Sequence, residues 1–205
     1  MPKFQPDRRP LRTKRALKAV LVDLLQTRDL QTISIKEITD LADISRGTFY
    51  LHYDDIFALY QAIESDVIEN ISSIIQSKVP IQDVDELDKI ISSIFEYLTV
   101  HIKECDALLR TDSASFLSGV FEKNRPKVSE TWEMPFGSQE HMEAYSYIFL
   151  SHGLAGVLKH WMAFGKIETP RQIAQIVKRL LSYMLLESSQ NQSGLGMENI
   201  SGNQP

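Results

Sequence analysis

Apolar positions recur along this chain at spacings of three and four residues, the period of helices with one buried face; no strand pattern of any length is present. Leu17, Val20, Leu21, Leu24 and Leu25 form the first stripe, and Pro10 ahead of them suits a helix start. That helix is expected to end near Arg28, with Asp29 at a C-cap place where glycine would cost less. Ser34 and Glu37 then make a capping box opening a short helix whose stripe is Ile35, Ile38 and Ala42. Asp43 falls where a sharp turn is needed, and aspartate visits positive φ more readily than most residues; Ile44 can plug the turn into the core. Ser45 is an N-cap for a second short helix carrying Arg46, Gly47, Thr48, Phe49 and Tyr50.

Further on, Asp54 or Asp55 can cap a long helix reaching about Ser77, with Leu59, Ile63, Val67, Ile71 and Ile74 on its face. Pro80 breaks the chain, after which Leu87, Ile91, Ile94, Leu98, Ile102, Cys105 and Leu109 predict one helix over residues 83–109. Another is expected from about Ser113 to Lys123, disturbed by Pro126, with residues 134–138 as a loop. Residues 139–164 are apolar on more than one side, the mark of a helix buried on both. Thr169, Pro170 and Gln172 open the last helix as cap, first-turn proline and capping-box partner. It carries Ile173, Ile176, Val177, Leu180, Leu181, Met184 and Leu185. Two terminal helices with apolar surface to spare suggest a homodimer through a twofold four-helix bundle. The expected fold is therefore all-α: a flexible basic arm over residues 1–9, a helix-turn-helix unit over 10–54, a helical body over 55–188 and a disordered tail over 189–205.

Two short helices about a tight turn, the second poor in large apolar residues, are a helix-turn-helix. Phe49 is enough to anchor that second helix, leaving Arg46, Gly47, Thr48 and Tyr50 to face outward, where a major groove admits such a helix. The run Ile44-Ser45-Arg46-Gly47-Thr48-Phe49-Tyr50-Leu51-His52-Tyr53 resembles the DNA-binding head of the TetR family of transcriptional regulators, with Thr48, Tyr50, His52 and Tyr53 on its signature positions. The resemblance is specific over roughly residues 12 to 65 and implies a three-helix DNA-binding head joined by a long helix to a ligand-binding and dimerising body. Thr48 and Tyr50 are assigned to phosphate hydrogen bonds, Arg46 and the close approach at Gly47 to base reading, and His52 to phosphate, with Ser45 and Tyr53 also among the DNA-binding positions. Ser34 and Lys36 stand at a helix start, where free N–H groups attract phosphate. The family commonly has glycine where this chain has Asp29 and Asp43. Many members also carry a phosphate-directed lysine early in the long helix, where Ile56 follows Asp54 and Asp55 here. That departure leaves room for an alternative: a co-regulator of the same shape acting through a protein partner without its own DNA binding.

Charge sharpens the picture. The chain of 205 residues carries −5 overall, yet its first twenty residues hold seven cations against Asp7 alone. A basic end and an acidic remainder orient a molecule toward a polyanion. A single cysteine excludes an internal disulfide and fits a reducing compartment; with no signal-like segment and no long apolar run, the cytoplasm is expected and a membrane is not. No phosphate loop, nucleophile elbow or matched acid–base pair marks an enzyme, and nothing calls for a cofactor. His101 and Cys105 have metal-ligand spacing on one helix, but Cys105 lies on the apolar stripe and no further ligand joins them, so no metal is expected. The family resemblance implies a small-molecule effector in the body. Among its aromatics, which include Trp132 and Trp161, the candidates are Phe95, Phe116, Tyr145 and Phe149, with His152.

Overall fold

The computed structural model describes residues 9–78, 84–129, 140–163 and 167–181. The arm before Arg9, the loop at 134–138, Trp132 and the tail over 189–205 lie outside the described residues. Within them the chain is helical, with no strand. α1 (Arg9–Leu25), α2 (Ile35–Leu41) and α3 (Arg46–Tyr50) form the amino-terminal head. α4 (Ile56–Gln76) leads into the body of α5 (Val84–Val100), α6 (Ile102–Ser129), α7 (Glu140–Ala163) and α8 (residues 170–181).

Each short helix starts where its cap dictates. Ser34 Oγ accepts from Glu37 N–H at 3.2 Å, Ser45 Oγ from Thr48 N–H at 3.1 Å, and Asp55 Oδ1 from Ala58 N–H at 2.7 Å. Thr169 and Gln172 complete a reciprocal box at the start of α8, the threonine N–H donating to Gln172 Oε1 at 2.9 Å. The box at Ser34 forms only by half: the Glu37 carboxylate instead pairs with Arg28. A cationic partner offers a carboxylate a stronger hydrogen bond than one backbone N–H does.

The end of α1 also differs from expectation. The helix stops at Leu25, and a single 3₁₀ turn (Leu30–Thr32) follows. Asp29 precedes that turn at φ −76°, ψ 140°, extended backbone in which glycine has no advantage. Asp43, by contrast, is at φ 53°, the left-handed turn expected of it.

One continuous core runs through head and body. Leu17, Leu21 and Leu25 of α1 join Ile38, Phe49 and Leu59, and the stripe Ile63, Val67 and Ile71 carries that core along α4 to Phe116 and Leu117 of α6. α4 packs chiefly on α6, and α6 in turn on α7. The single helix expected over residues 83–109 is two. The chain turns at His101, although Leu98, Cys105 and Leu109 stay buried on both sides of the break. The hydrogen bonds Tyr97 O to His101 N–H and His101 O to Cys105 N–H survive, so a one-residue turn leaves the apolar spacing almost intact. α6 is itself kinked at Asp112 (φ −154°, ψ 84°), whose Oδ1 caps the next turn through Ser115 N–H at 2.9 Å. It then runs on to Ser129, past Pro126.

The head is latched to the body by polar contacts as well. Lys18 Nζ donates to Ala62 O at 2.9 Å and to Asp66 at 2.5 Å. At the other end of α1, Lys103 of α6 pairs with Asp23 at 2.6 Å, and Gln26 donates to Lys103 O at 2.9 Å.

Candidate nucleic-acid interface

The interface is built on one buried ring. Phe49 is fully buried and meets Tyr50 edge-on at 5.6 Å and Tyr53 at 5.9 Å. With that face of α3 committed, Ser45, Arg46, Gly47 and Tyr50 are exposed, and Thr48 and His52 are half-buried beside them. The Asp43 turn sets α2 and α3 at an angle, with Ile44 half-buried against the core as its plug. Ser34 and Lys36 at the start of α2 are exposed too.

Local hydrogen bonding shapes this surface. Ser45 Oγ and Thr48 Oγ1 lie 2.8 Å apart, so the cap and the hydroxyl expected at phosphate share one hydrogen bond. A β-carbon built on Gly47 meets nothing nearer than Ser45 Oγ at 3.8 Å, so nothing inside the chain demands glycine there.

Tyr53 does not belong to the exposed set. It is 7% exposed, its Oη is buried, and Lys14 Nζ lies 6.0 Å from the ring centroid. Burial first, and Asp66 second, push its phenol pKa up. Its ring packs because it stands one turn after Phe49 on the same face. Leu51, by contrast, was not singled out in the sequence and is 80% exposed at the end of α3. The signal available for it was weak, a lone leucine beside tyrosine.

Asp55 spends its carboxylate on the α4 cap, and Ile56 is half-buried against the core.

The five effector candidates divide between two environments. Phe95 and Phe116 are core residues, Phe95 meeting Trp161 edge-on at 5.6 Å. Tyr145 and Phe149 are 70% and 64% exposed on α7, and His152 is exposed beside them with Nδ1 2.9 Å from Ile148 O. A cleft of about 660 Å³ opens elsewhere, where the end of α1, the start of α4 and the α6 kink meet; none of the five lines it. Cys105 is fully buried, and among the described residues no three potential metal ligands sit together. No helix among them is long and apolar enough to cross a membrane.

Comparison with known proteins agrees with this arrangement. Residues 85–183 match a family model described as a transcriptional regulator C-terminal region of TetR type. An uncharacterised HTH-type transcriptional regulator of Bacillus subtilis (strain 168), YxbF, is 34% identical over 73 residues, which is 36% of this chain and 19% of that protein. The chain thus matches about a fifth of the length of this curated relative. A TetR-family regulator from Streptomyces coelicolor shares the fold at a TM-score of 0.65 and 15% identity, over 90% of this chain and 85% of that one. The dihydroxyacetone kinase operon activator DhaS shares it at 0.56 and 15% identity, over 85% of this chain and 96% of that one. With its carboxyl-terminal region matched, its amino-terminal helix-turn-helix in place and this fold around them, the chain is similar to the TetR family of transcriptional regulators.

Proposed function

We propose that this regulator binds a palindromic operator as a homodimer, places α3 of each subunit in a major groove, and represses transcription until an effector bound in the body releases it. The observation that carries the reading is the outward face of α3: Arg46, Gly47 and Tyr50 exposed on a helix pinned from behind by Phe49. Arg46 reads base edges, Gly47 permits close approach, and Tyr50, Thr48, His52 and Lys36 hold phosphates. Leu51 adds an apolar contact of the kind a thymine methyl accepts. Dimerisation is supported by the apolar groups turned outward on α7 and α8: Tyr145, Ile148, Phe149, Ile176 and Leu180. Two copies of such a face bury one another in a four-helix bundle. The effector acts by binding the DNA-incompetent state better, since equal affinity for both states switches nothing.

The test is selection from a random duplex library followed by titration against salt. Enrichment of a symmetric site is expected. If the dimer covers about six to ten phosphates, log affinity falls against log salt with a slope of about −5 to −9. A flat salt response and no enriched site would sink the reading. That result favours the co-regulator alternative, for which exposed Asp54 is the motivating residue.

A further inference from the structure

We propose that the cleft between α1, α4 and the α6 kink is a binding site for a small organic cation, a primary ammonium carried on an apolar body. This names the effector class and place, and its regulatory half rests on the ligand-responsive reading above. Three elements meet there: the end of α1 and the chain just after it, with Leu25 and Leu30; Phe57, Tyr60 and Glu64 of α4; and Asp112 at the kink of α6.

One of these walls, α4, carries two buried oxygens that no donor reaches. Tyr60 is 7% exposed, and its buried Oη has only the Thr111 hydroxyl near it, outside good hydrogen-bond geometry; Oε1 of Glu64, one turn further along α4, is buried without a partner. The Thr111 hydroxyl already donates to Ala107 O at 2.8 Å, so toward Tyr60 it can only accept, and no donor reaches Tyr60 Oη. A buried oxygen left unpaired is costly, and in a native fold it calls for an explanation.

Charge selects the missing partner. Asp29, Glu64 and Asp112 line the cleft together with two guanidiniums, Arg28 and Arg110. Both guanidiniums are committed to carboxylates outside it, Arg28 to Glu37 and Arg110 Nε to Asp106 at 2.7 Å. The field inside is therefore negative. Burial and then Asp112 raise the pKa of Glu64, the behaviour of a carboxylate short of a countercharge.

An ammonium has three donors and no acceptor, matching two orphaned oxygens and a second carboxylate. Phe57, 54% exposed on the same wall, offers an aromatic face to the cation and apolar area to its body. The volume suits a ligand of ordinary small-molecule size. Neither orphaned oxygen is reachable by solvent in this conformation, so pairing them requires a shift at the α4–α6 contact. α4 leads from the head into the body, and that shift is the differential interaction a switch needs.

Calorimetry on the full chain without DNA tests the site, using phenethylamine, its charge-reversed counterpart 3-phenylpropionate, and neutral 2-phenylethanol. Phenethylamine is expected to saturate the site and the other two are not. Glu64→Gln should weaken the amine by about tenfold or more, the loss of one charge-assisted bond. Tyr60→Phe provides an independent second variant and should weaken it as well. Equal binding of 3-phenylpropionate, unchanged affinity in both variants, or no saturation by about 10 mM amine overturns the site. The selected operator, titrated with and without amine, tests the regulatory half. Amine binding that leaves operator affinity unmoved rejects the effector role. Amine binding by a chain that selects no operator upholds the site and rejects the regulator reading instead.

Discussion

Gly119 of α6 faces Ile68 of α4 so closely that a β-carbon on the glycine would lie 2.7 Å from Ile68 Cδ1. This is a tight point in the main contact between the link helix and the body. The obstructing atom is the tip of a flexible, half-buried side chain, so Gly119→Ala can be absorbed by rotating Ile68. Alanine also recovers about 1 kcal/mol of helix propensity. Urea denaturation should therefore place Gly119→Ala within about 1 kcal/mol of the parent, whereas Gly119→Leu, which Ile68 cannot clear, should lose about 1–3 kcal/mol. A Leu variant as stable as the parent would show that α4 and α6 are not held at this spacing.

Arg46 and Tyr50 are both exposed on α3 but are assigned different work. Tyr50→Ala should weaken binding to all duplexes alike, as loss of a phosphate contact does. Arg46→Ala should relax preference at one base position, worth about 1–3 kcal/mol of discrimination. Binding profiles over a randomised operator separate the two. An unchanged Arg46→Ala profile would remove the base-reading assignment.

Cys105 should be inert in the folded protein. It is fully buried at the start of α6, and burial, with Glu104 and Asp106 adding to it, pushes its thiol pKa up to about 12. Thiolate is the reactive form, and almost none exists near neutral pH. Labelling by a thiol reagent at pH 8 should proceed only as fast as the body opens, and rapidly in denaturant. Fast native labelling would contradict the packing of α6.

Glu64 makes stability depend on pH in an unusual direction for a carboxylate. Its folded pKa is raised above the ordinary 4.5 by burial and by Asp112, with Tyr60 lining the same cleft. The protonated group therefore contributes stability that is complete below 4.5 and is lost as pH rises through the folded value. Glu64→Gln imitates the protonated state, so it should melt higher than the parent at pH 7, with the gap closing as pH falls below the folded value. A variant that melts lower at pH 7, or a gap independent of pH, would be inconsistent with this environment.

How much of this was legible in advance depended on the distance a feature spans. Caps at Ser34, Ser45 and Thr169 need three residues of context and were readable as written, whereas Asp55 could not be told from Asp54. The positive φ at Asp43 was readable because only a tight turn fits between two capped helices. Tyr53, grouped with the DNA-binding positions, is buried, and an aromatic at a signature position looks the same in sequence whether it packs or projects. The break at His101 was invisible because a turn of one residue barely disturbs the spacing of Leu98, Cys105 and Leu109.

Sequence alone determined where the serine- and threonine-capped helices begin, that the described residues are helical, and that a helix-turn-helix sits behind a basic end. Those properties follow from side-chain period and from hydrogen bonds to the nearest backbone groups, which adjacent residues dictate. Only the tertiary structure decided that Glu37 answers Arg28 rather than its own cap, that Tyr53 is core, and that Tyr60, Glu64 and Asp112 share one cleft. Those pairings join elements distant along the chain, and their energies depend on burial and on charges that meet only once the helices have packed.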